Sequence, residues 1–349
     1  MKATFLYAPG DIRLDETPDP VILAPTDAIV RVTAACVCGS DLWPYRGVSK
    51  ITHATAMGHE LVGVVEAVGA AVTTVAPGDF VISPFTFSDN TCQSCRAGFQ
   101  SVCDHLAFFS SRDAAGLPTV GAQGELARIP LADGSLIVVP APFDGALVPG
   151  LLSLADVMST GHHAAVSAGV GPGSVVVVVG DGAVGLCGVL AASRLGAERI
   201  IAMSRHDDRA QLARTFGATD VVAERGEAGI AAITELLGGE LADSALECVG
   251  TEESMDQAIG SVHGGGRVGY VGVPTGGSRL PIQVLFGRNI TVGGGMAPAR
   301  HYIPELLPDV LSGAINPGLV FDLELPLDEA AEGYAAMDQR RAIKALLRP

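Results

Sequence analysis

The residues best able to do chemistry come in two groups. Cys38-Gly39-Ser40-Asp41 and Gly58-His59-Glu60 bring a thiol and an imidazole, soft and borderline donors of the kind Zn²⁺ takes. Taken singly, each reads as a buried cysteine or a hydrogen-bonded core histidine. Two features tip the balance. Gly63, Gly69 and Gly78-Asp79 follow His59 along an alternating apolar strand, an odd place for glycine unless backbone must pass close to something. Further on, Asp156 opens D-V-M-S-T-G on a helical pattern expected from Leu151 towards Gly169, which joins the two halves of the chain. The second group is Cys92-x-x-Cys95, with Cys103 eight residues beyond. In a reducing compartment, thiols so spaced point to metal before disulfides. Cys36 and Cys187 read as small hydrophobes, and His162 and His163 as packing residues.

These groups need positioning, and the clearest element is Ser174 to Gly185, S-V-V-V-V-V-G-D-G-A-V-G. Five valines suit a strand buried on both faces. Gly180, Gly182 and Gly185, with Ala183 and Val184 between the last two, then give G-x-G-x-x-G, and a helix-period pattern runs from Leu186 to its stop at Gly196. Strand, glycine turn and helix in this order are what a dinucleotide-binding loop requires.

From there the alternation is regular. Strands are expected at Arg199–Met203, Asp220–Val222, Asp243–Glu247, Arg267–Val271 and Ile290–Gly293, with helices at Asp207–Phe216 and Gly226–Leu237 between them. With the valine strand this makes an α/β fold with a doubly wound, six-stranded parallel sheet. Before residue 150 there are only short strands, at Lys2–Tyr7, Ala28–Ala34, Leu61–Val68, Phe80–Pro84 and Leu136–Val139, which predict a separate, irregular β-rich domain. The segments Ile303–Ser312, Asp328–Met337 and Ala342–Leu347 follow the completed sheet and are expected to return to that first domain. The expected domains are 1–155 with 296–349, and 156–295.

Bulk composition bounds the function. A chain of 349 residues is long enough for two cores, and 48% apolar against 17% charged residues requires much of it to be buried. A formal charge of −16 argues against nucleic acid or an anionic membrane surface as partner, and against any anionic cofactor unless basic groups gather locally. The N-terminus lacks a signal-like apolar run and no segment reads as membrane-spanning, so a cytoplasmic location is expected.

With G-H-E-x-x-G-x-x-x-x-x-G preceding G-x-G-x-x-G, nearly the whole chain resembles the zinc-containing medium-chain alcohol dehydrogenases, whose catalytic domain is GroES-like. The resemblance implies Cys38, His59 and Asp156 as catalytic zinc ligands, Glu60 as a carboxylate able to approach the metal, and Asp41 as the carboxylate that orients the imidazole. It implies Ser40 as the hydroxyl that takes the proton from the alcohol. Trp43 stands where many relatives carry a histidine that passes the proton on. The structural zinc lobe of the family falls on Asp89, Cys92, Cys95 and Cys103, with aspartate in the first cysteine's place; a degenerate, metal-free lobe is the other reading. Trp43, Phe85 and Met57 either line an apolar substrate pocket or belong to the core. Thr160, Val271 and Lys344 are expected at the cofactor, Lys344 at the pyrophosphate.

The resemblance further implies a dehydrogenase acting on a primary or secondary alcohol or the matching carbonyl compound, as a homodimer or homotetramer. Where NAD-binding members carry an aspartate after the second sheet strand, this chain has Ser204-Arg205-His206, with Arg209 a turn further. Guanidinium groups suit a 2′-phosphate, so NADP is expected ahead of NAD. Arg205 as a solvated surface residue beside a helix capped by Asp207 is the bland alternative. A zinc-independent quinone or enoyl reductase of the same fold, and a non-catalytic nucleotide-binding protein, are the competing functions; neither needs Cys38, Ser40, His59 and Asp156 together.

Overall fold

The structure is a computed structural model that describes residues 1–274 and 279–349. The chain divides into two compact units, Met1–Asp156 with Pro298–Pro349, and Val157–Ala297.

The first unit is built on a seven-stranded sheet. Its path runs Ile137–Val138, Phe80–Ser83, Leu61–Val68, Ala28–Cys36, Ala345–Arg348, Leu323–Pro326, and Leu126–Ile129 pairs with Ala28–Cys36 off that path. The C-terminal strand meets Ala28–Cys36 antiparallel, Leu346 opposite Cys36, so the end of the chain completes the sheet that carries Cys38. A smaller sheet pairs Asp11–Glu16, Lys2–Ala8 and Thr55–Ala56. Among the described residues, one apolar cluster of this unit lies on the sheet around Val30, Leu61, Phe87 and Ile129, and another around Leu6, Leu42, Met57, Tyr334 and Leu347. Arg128 is buried inside its strand and is held by Asp27 and Asp113, each at 2.7 Å. A buried guanidinium needs that double pairing.

The second unit is the expected α/β sheet. Six parallel strands lie in the order Asp220–Val222, Arg199–Met203, Val175–Val179, Ala242–Glu247, Val262–Tyr270, Thr291–Gly294. The order reverses between Val175–Val179 and Ala242–Glu247, the point outside whose strand ends such sheets bind ligands. Four of the five valines are fully buried, as a central strand requires.

One expectation is corrected. The helix foreseen from Leu151 to Gly169 is two helices, Val148–Ser153 and Val157–Ser167, with a turn at 154–156 between them. The Ala155 carbonyl accepts the Phe85 N–H at 3.2 Å, which anchors the turn to a neighbouring loop. Asp156 therefore sits in the break rather than on a helix. Among the described residues no helix is long and apolar enough to cross a membrane.

Candidate metal and cofactor sites

Cys38 follows the central strand Ala28–Cys36 and caps a 3₁₀ turn, Gly39–Asp41. Asp41 closes that turn on itself, Oδ2 accepting the Cys38 N–H at 3.0 Å. His59 comes just before the strand Leu61–Val68, which pairs with Ala28–Cys36 and so brings the imidazole beside the thiol. Gly58 has φ +85°, and a Cβ there would lie 2.5 Å from Gln123 Cγ; only glycine turns the chain in that space.

Cys38, His59, Glu60 and Asp156 each offer one donor atom, and these atoms lie within 4.8 Å of one another. Cys38 Sγ is 3.5 Å from Asp156 Oδ2, and His59 Nε2 is 3.6 Å from the same oxygen. A tetrahedral zinc with ordinary bond lengths separates sulfur from oxygen by about 3.5 Å and nitrogen from oxygen by about 3.3 Å. The spacing fits. His59 turns Nδ1 towards Asp41 Oδ1 at 3.3 Å and Nε2 towards the cluster, so with a metal bound the proton stays on Nδ1 and the Nε2 lone pair is the donor.

The electrostatics also ask for a cation. Burial alone pushes His59 down, yet Asp41, Cys38 and Asp156 outweigh it and hold the imidazole well above its usual range. Burial raises the Cys38 thiol, with Asp156 adding to the effect and Lys344 opposing it. Glu60 is fully buried, raised by burial and lowered by Lys344, and its Oε2 has no hydrogen-bond partner. A buried carboxylate with one unpartnered oxygen, clustered with a thiol and an imidazole, is what a bound metal would satisfy.

Lys344 lies beside the donor cluster. Its side chain is 1% exposed, and Nζ lies 2.7 Å from Glu60 Oε1 and donates to the Val37 carbonyl at 3.2 Å. Two further residues were missed from sequence. Gln123 donates to the Cys36 carbonyl at 2.9 Å and stands 3.5 Å from Asp41 Oδ2, while Tyr334 donates to Gln123 Oε1 at 3.0 Å. Together they support Asp41 from behind. The available signal was Gly121 and Gly124 flanking Gln123: a Cβ on Gly121 would lie 2.3 Å from the Met57 carbonyl.

Ser40 lies in the 3₁₀ turn two residues beyond Cys38, partly exposed and without a hydroxyl partner among the described residues. Trp43 is half-buried in the short helix Leu42–Tyr45, and Phe85 is half-buried, its N–H bonded to Ala155 next to Asp156. Met57 is buried and packs in the apolar cluster with Leu6 and Tyr334.

The donor atoms of Asp89, Cys92, Cys95 and Cys103 also lie within 4.8 Å of one another. Backbone N–H groups point at the sulfurs, Cys95 N at Cys92 Sγ (3.5 Å), Asp89 N and His105 N at Cys103 Sγ (3.4 and 3.3 Å). Asp89 Oδ1 accepts from Thr91 and Cys92, and Oδ2 faces His105 Nδ1 at 2.7 Å. Burial opposes the Asp89 charge, but these bonds hold its carboxyl well below the usual range. Burial and the neighbouring sulfurs of Cys92 and Cys103 raise Cys95. Clustered thiols of this kind are relieved by a cation, and three sulfurs with one oxygen suit zinc.

In the second unit, Gly180 has φ +117° and Gly182 caps the helix Ala183–Arg194. A Cβ on Gly185 would lie 1.9 Å from the Gly180 carbonyl, so helix and turn meet through glycine alone. A Cβ on Gly182 would meet nothing within 4 Å. That open space in front of the helix N-terminus is where a pyrophosphate fits. Ala183 and Val184 form the first turn, Val271 directly follows the strand Val262–Tyr270, and Thr160 is partly exposed on the helix Val157–Ser167. Ser204, Arg205 and Arg209 gather at the end of Arg199–Met203, but two are already engaged. Ser204 Oγ donates to Asp181 Oδ2 at 2.8 Å, and Arg209 Nη1 is 3.5 Å from Asp181 Oδ1. Arg205 is exposed with no side-chain partner among the described residues. His206, not Asp207, takes the cap position of the helix Asp207–Thr215.

Known proteins match this arrangement. Residues 24–142 match the alcohol dehydrogenase GroES-like domain, and residues 183–312 the zinc-binding dehydrogenase family. A probable zinc-binding alcohol dehydrogenase of Mycobacterium tuberculosis is 36% identical, the match covering 100% of this chain and 89% of that protein. Zinc-type alcohol dehydrogenase B of Aspergillus flavus is 30% identical over 100% of this chain and 81% of its own. Among solved structures, the alcohol dehydrogenase TADH from Thermus sp. ATN1 superposes with a TM-score of 0.91 at 31% identity, covering 100% of this chain and 99% of that one. With the two glycine-framed motifs, the donor clusters and these relatives in agreement, the chain belongs to the zinc-containing medium-chain alcohol dehydrogenase family and is a zinc-dependent oxidoreductase.

Proposed function

We propose that the chain interconverts a primary or secondary alcohol with its aldehyde or ketone, using zinc held by Cys38, His59 and Asp156 and, as redox partner, NADP(H), with NAD(H) the alternative. The donor cluster, with His59 Nε2 turned into it and Nδ1 turned to Asp41, carries this reading. Three ligands leave a position for substrate, with Glu60 beside it able to exchange on and off. A zinc-independent quinone or enoyl reductase, or a non-catalytic nucleotide-binding protein, has no use for that donor set.

When bound, zinc supplies a Lewis acid that makes the substrate hydroxyl more acidic, and the nicotinamide supplies the hydride acceptor. The protein does the rest. Asp41 holds the imidazole in the tautomer that presents Nε2. Ser40 Oγ, unengaged by other side chains, receives the proton given up by the alcohol. Trp43, three residues on, has no basic nitrogen to pass it further and with Phe85 forms an apolar wall. Lys344 balances the Glu60 charge when that carboxylate is not needed at the metal.

Gly180, Gly182, Ala183, Val184 and Gly185 are assigned to the pyrophosphate, Thr160 and Val271 to the nicotinamide half, and Arg205 to the 2′-phosphate. Asp89, Cys92, Cys95 and Cys103 are assigned to a structural zinc. Seven free cysteines support a reducing, cytoplasmic location. Thr291–Gly294 ends the sheet among the described residues, and Ile282 and Phe286 on the preceding helix Ile282–Arg288 are 65% and 85% exposed. This open edge supports a homodimer, or a homotetramer built from it.

The test is a panel of primary and secondary alcohols and matching carbonyl compounds, assayed with NADP(H) and NAD(H). Zinc-loaded protein should turn over part of the panel. Nucleotide binding without turnover of any member would favour the non-catalytic reading, and full activity without metal the reductase reading.

A further inference from the structure

The sheet brings a carboxylate to a place where the sequence lacks one. In this fold the ribose 2′-position is read at the end of the strand next to the glycine loop. Here that strand is Arg199–Met203, followed by Ser204, a residue without charge. The two strands are parallel neighbours in register, Val179 opposite Met203, so the residues just beyond their ends lie side by side. Asp181, the variable residue between Gly180 and Gly182, reaches across from the loop. Its Oδ2 accepts the Ser204 hydroxyl at 2.8 Å, and Arg209 Nη1 lies 3.5 Å from its Oδ1 and 3.4 Å from its backbone carbonyl.

From this geometry we infer that Asp181 is a cofactor-specificity residue: its charge opposes a 2′-phosphate and occupies the hydroxyl and guanidinium that would otherwise bind it. The inference rests on the assignment of this loop to a dinucleotide. Of the three groups suited to the phosphate, only Arg205 remains free. Ser204 donates to Asp181 at 2.8 Å, with the His206 carbonyl a more distant second acceptor at 3.3 Å. Arg209 faces the carboxylate at a long distance, a weak pair that a competing anion can break once the carboxylate charge is gone. For a ribose without phosphate, the same carboxylate is an acceptor for the 2′-hydroxyl, so its presence favours NAD(H) and limits whatever preference Arg205 gives to NADP(H). The preference is thus set by opposing groups, Asp181 against Arg205, from two different strand ends.

The test compares adenosine 2′,5′-bisphosphate with 5′-AMP, which differ only in the 2′-phosphate, by isothermal titration calorimetry at fixed low salt. Asp181→Asn keeps size and removes charge. It should tighten the bisphosphate relative to 5′-AMP by at least tenfold, about 1.4 kcal/mol. In the double variant with Arg209→Gln the gain should fall below threefold, because the released guanidinium is then missing. Asp181→Ser is measured in parallel, so that the ratio is read even where one variant folds poorly. A rise below threefold in folded variants at Asp181, or a gain untouched by Arg209→Gln, overturns the inference. The NADP(H) reading is tested separately in the same series. Wild-type protein that binds 5′-AMP as tightly as the bisphosphate refutes that reading, while the change in ratio on substitution still decides the role of Asp181.

Discussion

Asp41→Asn is the sharpest perturbation of the metal site, because it removes one acceptor and leaves the shape. Asp41 serves two donors at once: Oδ2 takes the Cys38 N–H at 3.0 Å, and Oδ1 faces His59 Nδ1 at 3.3 Å. An asparagine has a single oxygen. If that oxygen stays on the Cys38 N–H, the amide NH₂ faces His59 Nδ1, and the ring can answer only by moving its proton to Nε2. Nε2 is the atom that stands 3.6 Å from Asp156 Oδ2 and must offer a lone pair to the metal. If the amide flips instead, the 3₁₀ turn that places the Cys38 thiol loses its closing bond. Either way one ligand is misdirected. Loss of such an orienting partner lowers metal affinity by roughly 10- to 100-fold, about 1.4–2.7 kcal/mol. The assay is zinc titration of metal-depleted protein against a chromophoric chelator. The Asp89–Cys103 lobe, which Asp41 does not touch, provides an internal control and should keep its affinity. Wild-type affinity at both sites would refute the tautomer argument, and an equal loss at both would turn it into a folding effect.

Three further outcomes are expected. Ser40→Ala should lower turnover by roughly two to four orders of magnitude, the usual worth of positioned proton transfer, while nucleotide binding survives; near wild-type turnover would remove the serine from the proton path. Arg205→Ala should lower kcat/KM with NADP(H) at least tenfold, about 1.4 kcal/mol, and leave NAD(H) little changed; equal effects on both would return Arg205 to the solvated surface. Lys344→Met strands the buried Glu60 carboxylate and should destabilise the first unit by about 3–5 kcal/mol, seen as a lower denaturant midpoint; an unshifted midpoint would mean that Glu60 is neutral in the folded protein.

What was legible in the sequence depended on how local the signal was. The valine strand, its glycine turn and the following helix announce themselves within a few residues, and the parallel strands after them show as apolar runs between turn signals. Leu126–Ile129 was missed because Arg128 breaks its apolar run, yet the arginine points inward to Asp27 and Asp113. Asp11–Glu16 was missed because a small, partly solvated sheet tolerates its acidic residues. The break at 154–156 is invisible locally, since Leu151 to Ala165 keeps a helical period; it is tied to a loop by the Phe85 N–H bond to Ala155.

At the candidate sites the same distinction holds. Cys38, His59 and the cysteine lobe are visible as residue types at short spacing. Their supports are not. Tyr334 reaches Gln123 across more than half the chain, and only the folded sheet brings Lys344 onto Glu60. Ser204 and Arg209, expected from sequence at the 2′-phosphate, have a partner that the sequence hides for a related reason. Asp181 stands in another strand's loop, and strand register rather than sequence distance makes it their neighbour.

The central claim is that the two clusters hold zinc and that one of them is catalytic. Elemental analysis of the purified protein, paired with an alcohol oxidation assay, tests it most directly. About two zinc ions per chain are expected, from two clusters of four donors. Cys92→Ser should leave about one zinc and an active protein, and His59→Ala about one zinc and no turnover. A metal-free protein that oxidises alcohol at the full rate would contradict the account.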